Sequence, residues 1–126
     1  MANEFLLNNR RWFDMKEKNG YYYKILPRNN KRQEVCTTQS FESKEMCNRE
    51  LNRIIDFLLK SEIDGTLNKY IEVETLLVKE QYKRYRYLFK DDKGNILLFG
   101  RSVESRSYAK KAIYGLAAHL KWLFDK

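Results

Sequence analysis

The chain has 126 residues, of which 43% are hydrophobic and 33% are charged, and its formal net charge is +8 at pH 7. This length suits one compact domain, and the sequence has no apolar run near the ~20 residues that a membrane-spanning helix needs. The composition is that of a soluble globular protein, and the basic excess attracts polyanions without identifying a ligand.

Residues 1–9 are predicted to be a disordered N-terminal segment that precedes a single domain over residues 10–126. Glu4 stands where a secretory signal peptide has basic residues, and the apolar stretch that follows it is short. We therefore expect a cytoplasmic protein without a membrane partner.

A β-hairpin is predicted at the start of the domain. Residues 11–16 alternate, Asn19-Gly20 is a tight-turn pair, and residues 21–26 resume with β-favouring aromatics. Pro27 ends this strand because it has no backbone N–H to donate. A third strand is predicted near residues 33–38.

The hydrophobic pattern then changes from a period of two to a period of 3.6 residues. Ser43 stands at the N-cap of the predicted helix, where its hydroxyl can accept a hydrogen bond from a free backbone N–H. The apolar stripe of this helix consists of Cys47, Leu51, Ile54, Ile55 and Leu58. Gly65 is the predicted turn residue of the segment that joins the two halves.

The second half repeats this order of elements. Strands are predicted over residues 71–79, 83–90 and 96–99, and Ser105 is the predicted N-cap of a second helix. The apolar stripe of that helix consists of Ala109, Ile113, Leu116, Ala117 and Leu120.

The two halves have the pattern of one duplicated unit. Ser-Phe-Glu-Ser-Lys at 40–44 returns as Ser-Val-Glu-Ser-Arg at 102–106. We predict an α+β fold in which tandem β-β-β-α repeats, over about 10–61 and 69–124, form one antiparallel sheet with two helices packed on one face. A unit of about 60 residues has little core of its own, so the repeats should share one hydrophobic layer.

Two helices cover only one side of a six-stranded sheet, so the other side should face solvent or a partner. Strand alternation directs Tyr23, Ile25, Tyr85 and Tyr87 toward the helices. Leu77, on a neighbouring strand, is predicted to face the helices with them. The residues predicted on the uncovered face are Tyr22, Lys24, Leu26, Arg28, Leu76, Val78, Arg84, Arg86, Leu88 and Lys90.

No catalytic residue, cofactor site or metal site is predicted, and we expect that the protein is not an enzyme. His119 has no partner at metal-ligand spacing, Asp91-Asp92 belongs to a turn, and Glu72 and Glu74 lie on one strand face.

The two cysteines are predicted to be buried and free. Cys36 and Cys47 align with Leu98 and Ala109 of the second half, which are apolar residues. Free cysteine is often buried, and a cytoplasmic setting disfavours disulfides.

Motifs in both halves resemble a known family. The motifs are Trp12-Phe13-Asp14-Met15-Lys16, Asn19-Gly20, Tyr23-Lys24-Ile25-Leu26, Tyr85–Ile96 and Val103–Ile113. They are similar to the YegP-like proteins, the DUF1508 domain family, from Trp12 to about Leu120. The resemblance implies tandem three-strand-plus-helix units in one antiparallel sheet, and it transfers no catalytic residue because the family has no assigned activity.

Two binding functions fit the uncovered face. Leu26 and Leu88 favour protein–protein contact or self-association, because a contiguous apolar patch usually marks a contact surface. The alternative is nonspecific nucleic-acid binding, since Tyr22, Arg84 and Arg86 combine stacking rings with cations. The expected partner is an unknown protein or a second copy in the first case, and nucleic acid in the second.

Overall fold

In the residues that the structure describes, the chain forms a six-stranded antiparallel sheet and two long helices, and its fold is therefore α+β. The computed structural model describes residues 6, 8–27, 34–79 and 82–125, without the side chain of Val78. The strands are β1 (Phe13–Glu17), β2 (Tyr21–Ile25), β3 (Cys36–Thr38), β4 (Ile71–Lys79), β5 (Tyr82–Lys90) and β6 (Ile96–Gly100). The helices are α1 (Lys44–Ile63) and α2 (Arg106–Asp125), and a 3₁₀ turn over Leu67–Tyr70 leads into β4.

The strands lie in the order β1-β2-β3-β6-β5-β4. β3 and β6 meet in the middle of the sheet, where Cys36 pairs with Gly100 and Thr38 with Leu98. β1 and β4 are left as its two edges.

The turn predicted between β1 and β2 is confirmed. Asn19 has φ 53° and Gly20 has φ 123°. Asn and Gly are the residues that tolerate positive φ best, and both adopt it in the three-residue connection that the register leaves between Glu17 and Tyr21.

Both predicted helix N-caps are confirmed. The Ser43 hydroxyl accepts a hydrogen bond from the backbone N–H of Met46 at 3.1 Å. The Ser105 hydroxyl accepts one from the backbone N–H of Tyr108, also at 3.1 Å. Each bond satisfies a backbone donor that has no partner inside its helix.

Both helices contact each other and pack on the same side of the sheet. Every residue of the two predicted apolar stripes is buried. The sheet residues in the same core are Phe13, Tyr23, Ile25, Cys36, Tyr87, Phe89 and Leu98. These residues share one face of the sheet, so helices and strands bury a single hydrophobic layer.

The far end of the β4–β5 hairpin departs from the prediction. Leu77, which was expected to face the helices, is 74% exposed, and Lys83 opposite it is also exposed. β4 and β5 have nine residues each, whereas β1 and β2 have five. The longer hairpin therefore extends past the part of the sheet that the helices cover.

Some predictions concern residues outside the described ranges. Arg28 is one of them, and so are most of residues 1–9. Within that N-terminal segment, Leu6 and Asn9 are buried, and Leu6 belongs to the core. Over the described ranges, neither helix has the combination of length and apolar character that crossing a bilayer would require.

Candidate functional site

The side of the sheet opposite the helices is the open face, and residues of both halves meet on it. Its central row crosses all six strands in the order Asp14, Lys24, Thr37, Phe99, Leu88 and Glu72. Phe99 and Thr37 were not predicted on the open face. Their neighbours Leu98 and Cys36 are apolar and buried, so strand alternation places Phe99 and Thr37 on the opposite side of the sheet.

Arg86 and Phe99 form the centre of the open face. The Arg86 guanidinium lies 5.0 Å from the centroid of the Phe99 ring, within the range of a cation–π contact. Arg86 Nε also donates to Glu74 Oε2 at 2.6 Å, across the β4–β5 pair. The arginine is therefore held in place by a carboxylate on one side and an aromatic ring on the other.

Acidic residues of both edge strands compensate cations of the open face. Lys90 forms an ion pair with Glu72, and Lys16 forms one with Asp14 at 3.1 Å. Lys24, in the central row, has no ion pair within the described part of the chain. Carboxylates of the same molecule thus already neutralise much of the positive charge that the sequence places on this face.

Arg84 is also held within the molecule. Its Nη2 donates to the backbone carbonyl of Ser102 at 3.0 Å, and its Nε donates to the hydroxyl of the same residue. Its Nη1 donates to the hydroxyl of Tyr82 at 3.2 Å. Tyr82 itself is 49% exposed at the start of β5.

The leucine patch expected on the open face is smaller than predicted. Leu88 is only 6% exposed, because Phe99 and Glu72 flank it on the neighbouring strands. Leu76 is half-buried in β4, and Leu26 is half-buried just beyond the end of β2. The apolar surface that this face presents is therefore centred on Phe99.

His119, an acid–base candidate by residue type, has a structural role. His119 is 7% exposed, and its Nε2 lies 3.0 Å from the backbone carbonyl of Leu26. A carbonyl only accepts, so Nε2 carries the proton. The indole rings of Trp12 and Trp122 lie 6.1 and 6.0 Å from the imidazole, which is thereby packed between aromatic neighbours.

The carboxylate of Asp91 is used by its own turn. Asp91 Oδ1 accepts hydrogen bonds from the backbone N–H groups of Lys93 and Asn95, both at 2.9 Å. Desolvation acts to raise the pKa of Asp91, but the hydrogen bonds from Asn95 and Lys93 outweigh it, and the pKa lies below its ordinary value. The Asp91 carboxylate thus stabilises the turn that connects β5 to β6.

The two cysteines are fully buried and free, as predicted. Burial raises the pKa of the Cys36 thiol to about 12 and that of Cys47 to about 11. Both thiols are therefore protonated at neutral pH, and a protonated thiol is a poor nucleophile and metal ligand. In the described ranges, no three His, Cys, Asp or Glu side chains are grouped so that they could hold a metal ion.

Comparison with known proteins identifies no relative: no family model matches the chain, and no match is found among the curated proteins or the solved structures.

Proposed function

We propose that this chain is a small binding module, not an enzyme, that docks a protein partner on the open face around Phe99 and Arg86. The observation that carries this proposal is that Arg86, which is paired with Glu74, lies over the Phe99 ring. A half-buried aromatic ring and an immobilised arginine are the residue types that dominate the energy of protein interfaces.

The balance of charge favours a protein over a polyanion. Nucleic-acid binding draws its affinity from cations that neutralise phosphates and release counterions. On the open face Arg86, Lys90 and Lys16 are already paired with carboxylates of the same molecule. A phosphate would have to displace those carboxylates, whereas a protein surface can contact the ring and the ion pairs together.

The proposal is tested by capturing proteins from a nuclease-treated lysate on the immobilised chain. Phe99→Ser removes the central ring, and Arg86→Lys keeps the charge but loses the planar contact with the ring. Tyr114→Ser is the matched control, because Tyr114 is an aromatic residue of α2 that is 43% exposed. Thermal unfolding of each variant verifies that it folds.

We expect that a defined protein is retained by the parent and by Tyr114→Ser, and is lost from both open-face variants. Equal retention by all four proteins would overturn a role for the open face. Capture that requires intact nucleic acid would instead favour the alternative function.

Nucleic-acid binding remains a second candidate because of the net charge of +8 and the position of Lys24 in the central row. It predicts that a single-stranded oligonucleotide binds with an affinity that falls steeply with salt. Lys24→Glu should then weaken the binding, whereas a salt-independent signal would exclude this candidate.

The two halves are further proposed to be copies of one β-β-β-α unit, as in the YegP-like proteins that the chain resembles. The equivalent caps Ser43 and Ser105 support this duplication. So do the isolated β-bridges that join Tyr21 to Phe41 and Tyr85 to Val103. A cytoplasmic location is also proposed, since unpaired cysteines are typical of a reducing compartment.

A further inference from the structure

β4 is a long strand, and no described strand pairs with its outer edge. It lies at the end of the sheet, and among the described strands it pairs only with β5. An edge strand presents a row of backbone N–H and C=O groups that another strand can pair with. At the same edge Leu77 is 74% exposed, a large apolar side chain in open solvent.

We propose that a second copy of this chain pairs antiparallel along β4, so that two six-stranded sheets continue into one. The paired segment is Val73–Leu77, and the two-fold axis passes through Thr75. This inference concerns the edge of the sheet and does not rest on the proposed contact at the open face.

The residues of β4 are complementary to themselves in this register. On the helix side, Leu77 of one copy lies opposite Val73 of the other. The two Thr75 residues also lie opposite each other, and the hydroxyl of each accepts a hydrogen bond from Arg106 Nη1 of its own copy at 3.3 Å. Apolar pairs and threonine pairs both stabilise neighbouring strands when they face each other directly. Two copies of Leu77 are removed from solvent in one symmetric contact.

Alternative registers are less favourable. Moving the axis to Glu74 would place the two Glu74 carboxylates opposite each other, and like charges in that position are destabilising. Moving it toward Leu76 would bring the irregularity between Leu77 and Lys79 into the paired segment. With the axis at Thr75, Val73–Leu77 pairs regularly and the irregularity stays outside.

The charge within the paired segment is already compensated. Glu74 is its one ionisable residue, and it is bound to Arg86 of the same copy. β1, the other edge, is a weaker candidate. It has five residues, three of which are charged, and charges on an edge strand oppose pairing with other chains.

Sedimentation equilibrium over a range of protein concentrations tests the dimer. Leu77→Lys should weaken dimerisation by at least about tenfold, because the symmetric contact loses two leucines and gains two charges. Ile63→Lys is the matched control, since Ile63 is also 74% exposed but lies at the end of α1. We expect Ile63→Lys and the open-face variant Phe99→Ser to dimerise like the parent.

The register is tested by a disulfide at the two-fold axis. Thr75→Cys should cross-link to its own copy under mild oxidation, because directly opposed residues of antiparallel strands have Cα atoms within the range of a disulfide. The natural thiols of Cys36 and Cys47 are fully buried and do not compete. Ser107→Cys, exposed on α2, is the control for chance collisions.

A strict monomer at the highest soluble concentration would overturn the inference. So would a dimer that Leu77→Lys leaves unchanged, or a Thr75→Cys protein that cross-links no faster than Ser107→Cys. Loss of the dimer in Phe99→Ser but not in Leu77→Lys would assign self-association to the open face instead.

Discussion

Gly100 provides the space in which the Tyr87 ring packs. A Cβ atom at this position would overlap the Cγ, Cδ2 and Cε2 atoms of Tyr87. Tyr87 is 1% exposed, so its ring has little room to move away. Gly100 also lies opposite Cys36 at the junction of β3 and β6, which places this contact at the centre of the sheet.

Replacing Gly100 with alanine is expected to destabilise the protein by roughly 1–3 kcal/mol, the cost of overpacking a filled core. Gly115→Ala is the matched control, for which we expect a change in the free energy of unfolding of the opposite sign. Gly115 lies inside α2 with no atom near its missing Cβ, so alanine should stabilise by about 0.5–1 kcal/mol through helix propensity. Urea unfolding measures both, and a shift of the same sign in both variants would contradict this account.

At the scale of the helices and strands, local chemistry determined what could be predicted from the sequence. Ser43 and Ser105 precede their helices as caps because a side-chain oxygen at that position satisfies a backbone donor whatever the tertiary fold. The apolar stripes follow from helical periodicity alone. These parts of the sequence therefore predicted the α+β class, the caps and the buried faces.

Features that depend on the relative position of elements were not predictable. The exposure of Leu77 depends on where the helices end above the β4–β5 hairpin, which no local pattern specifies. The same holds for the candidate site: alternation places Arg86 on the open face, but the bond to Glu74 and the contact with Phe99 require the strand order and register.

The two N-caps are expected to contribute similar stability. Ser43→Ala and Ser105→Ala should each lower the free energy of unfolding by about 1 kcal/mol, since each leaves one helix N–H without its acceptor. Ser107→Ala is the control, because Ser107 lies in the first turn of α2 beyond the cap position. Urea denaturation is the measurement, and a cost at Ser107 equal to that at Ser105 would show that the cap bond is not the cause.

Across the whole molecule, the halves are joined by one core and by a central strand pair. β3 has three residues, and its hydrogen bonds go to β2 on one side and to β6 of the other half on the other. His119 of α2 donates to Leu26 of the first half, 93 positions away in the chain. In the described part of the chain, the strands of both halves form one sheet and their buried apolar residues form one cluster.

Separating the halves should therefore abolish folding. A fragment over residues 1–66 would expose the buried edge of β3 together with the surfaces of α1 and the first hairpin that pack against the other half. Since even a complete domain of ~60 residues buries only about 60% of its unfolded surface, the remaining contacts would not offset the chain entropy.

Circular dichroism tests this expectation. We expect the separate fragments 1–66 and 67–126 to lack a near-ultraviolet signal. The intact chain should unfold in one transition by both near- and far-ultraviolet signals. If an equimolar mixture of the fragments regains the near-ultraviolet signal, the stability comes from the hydrophobic layer that the halves share. A cooperative unfolding transition in either fragment alone would contradict this expectation, because that half would then fold without the shared layer.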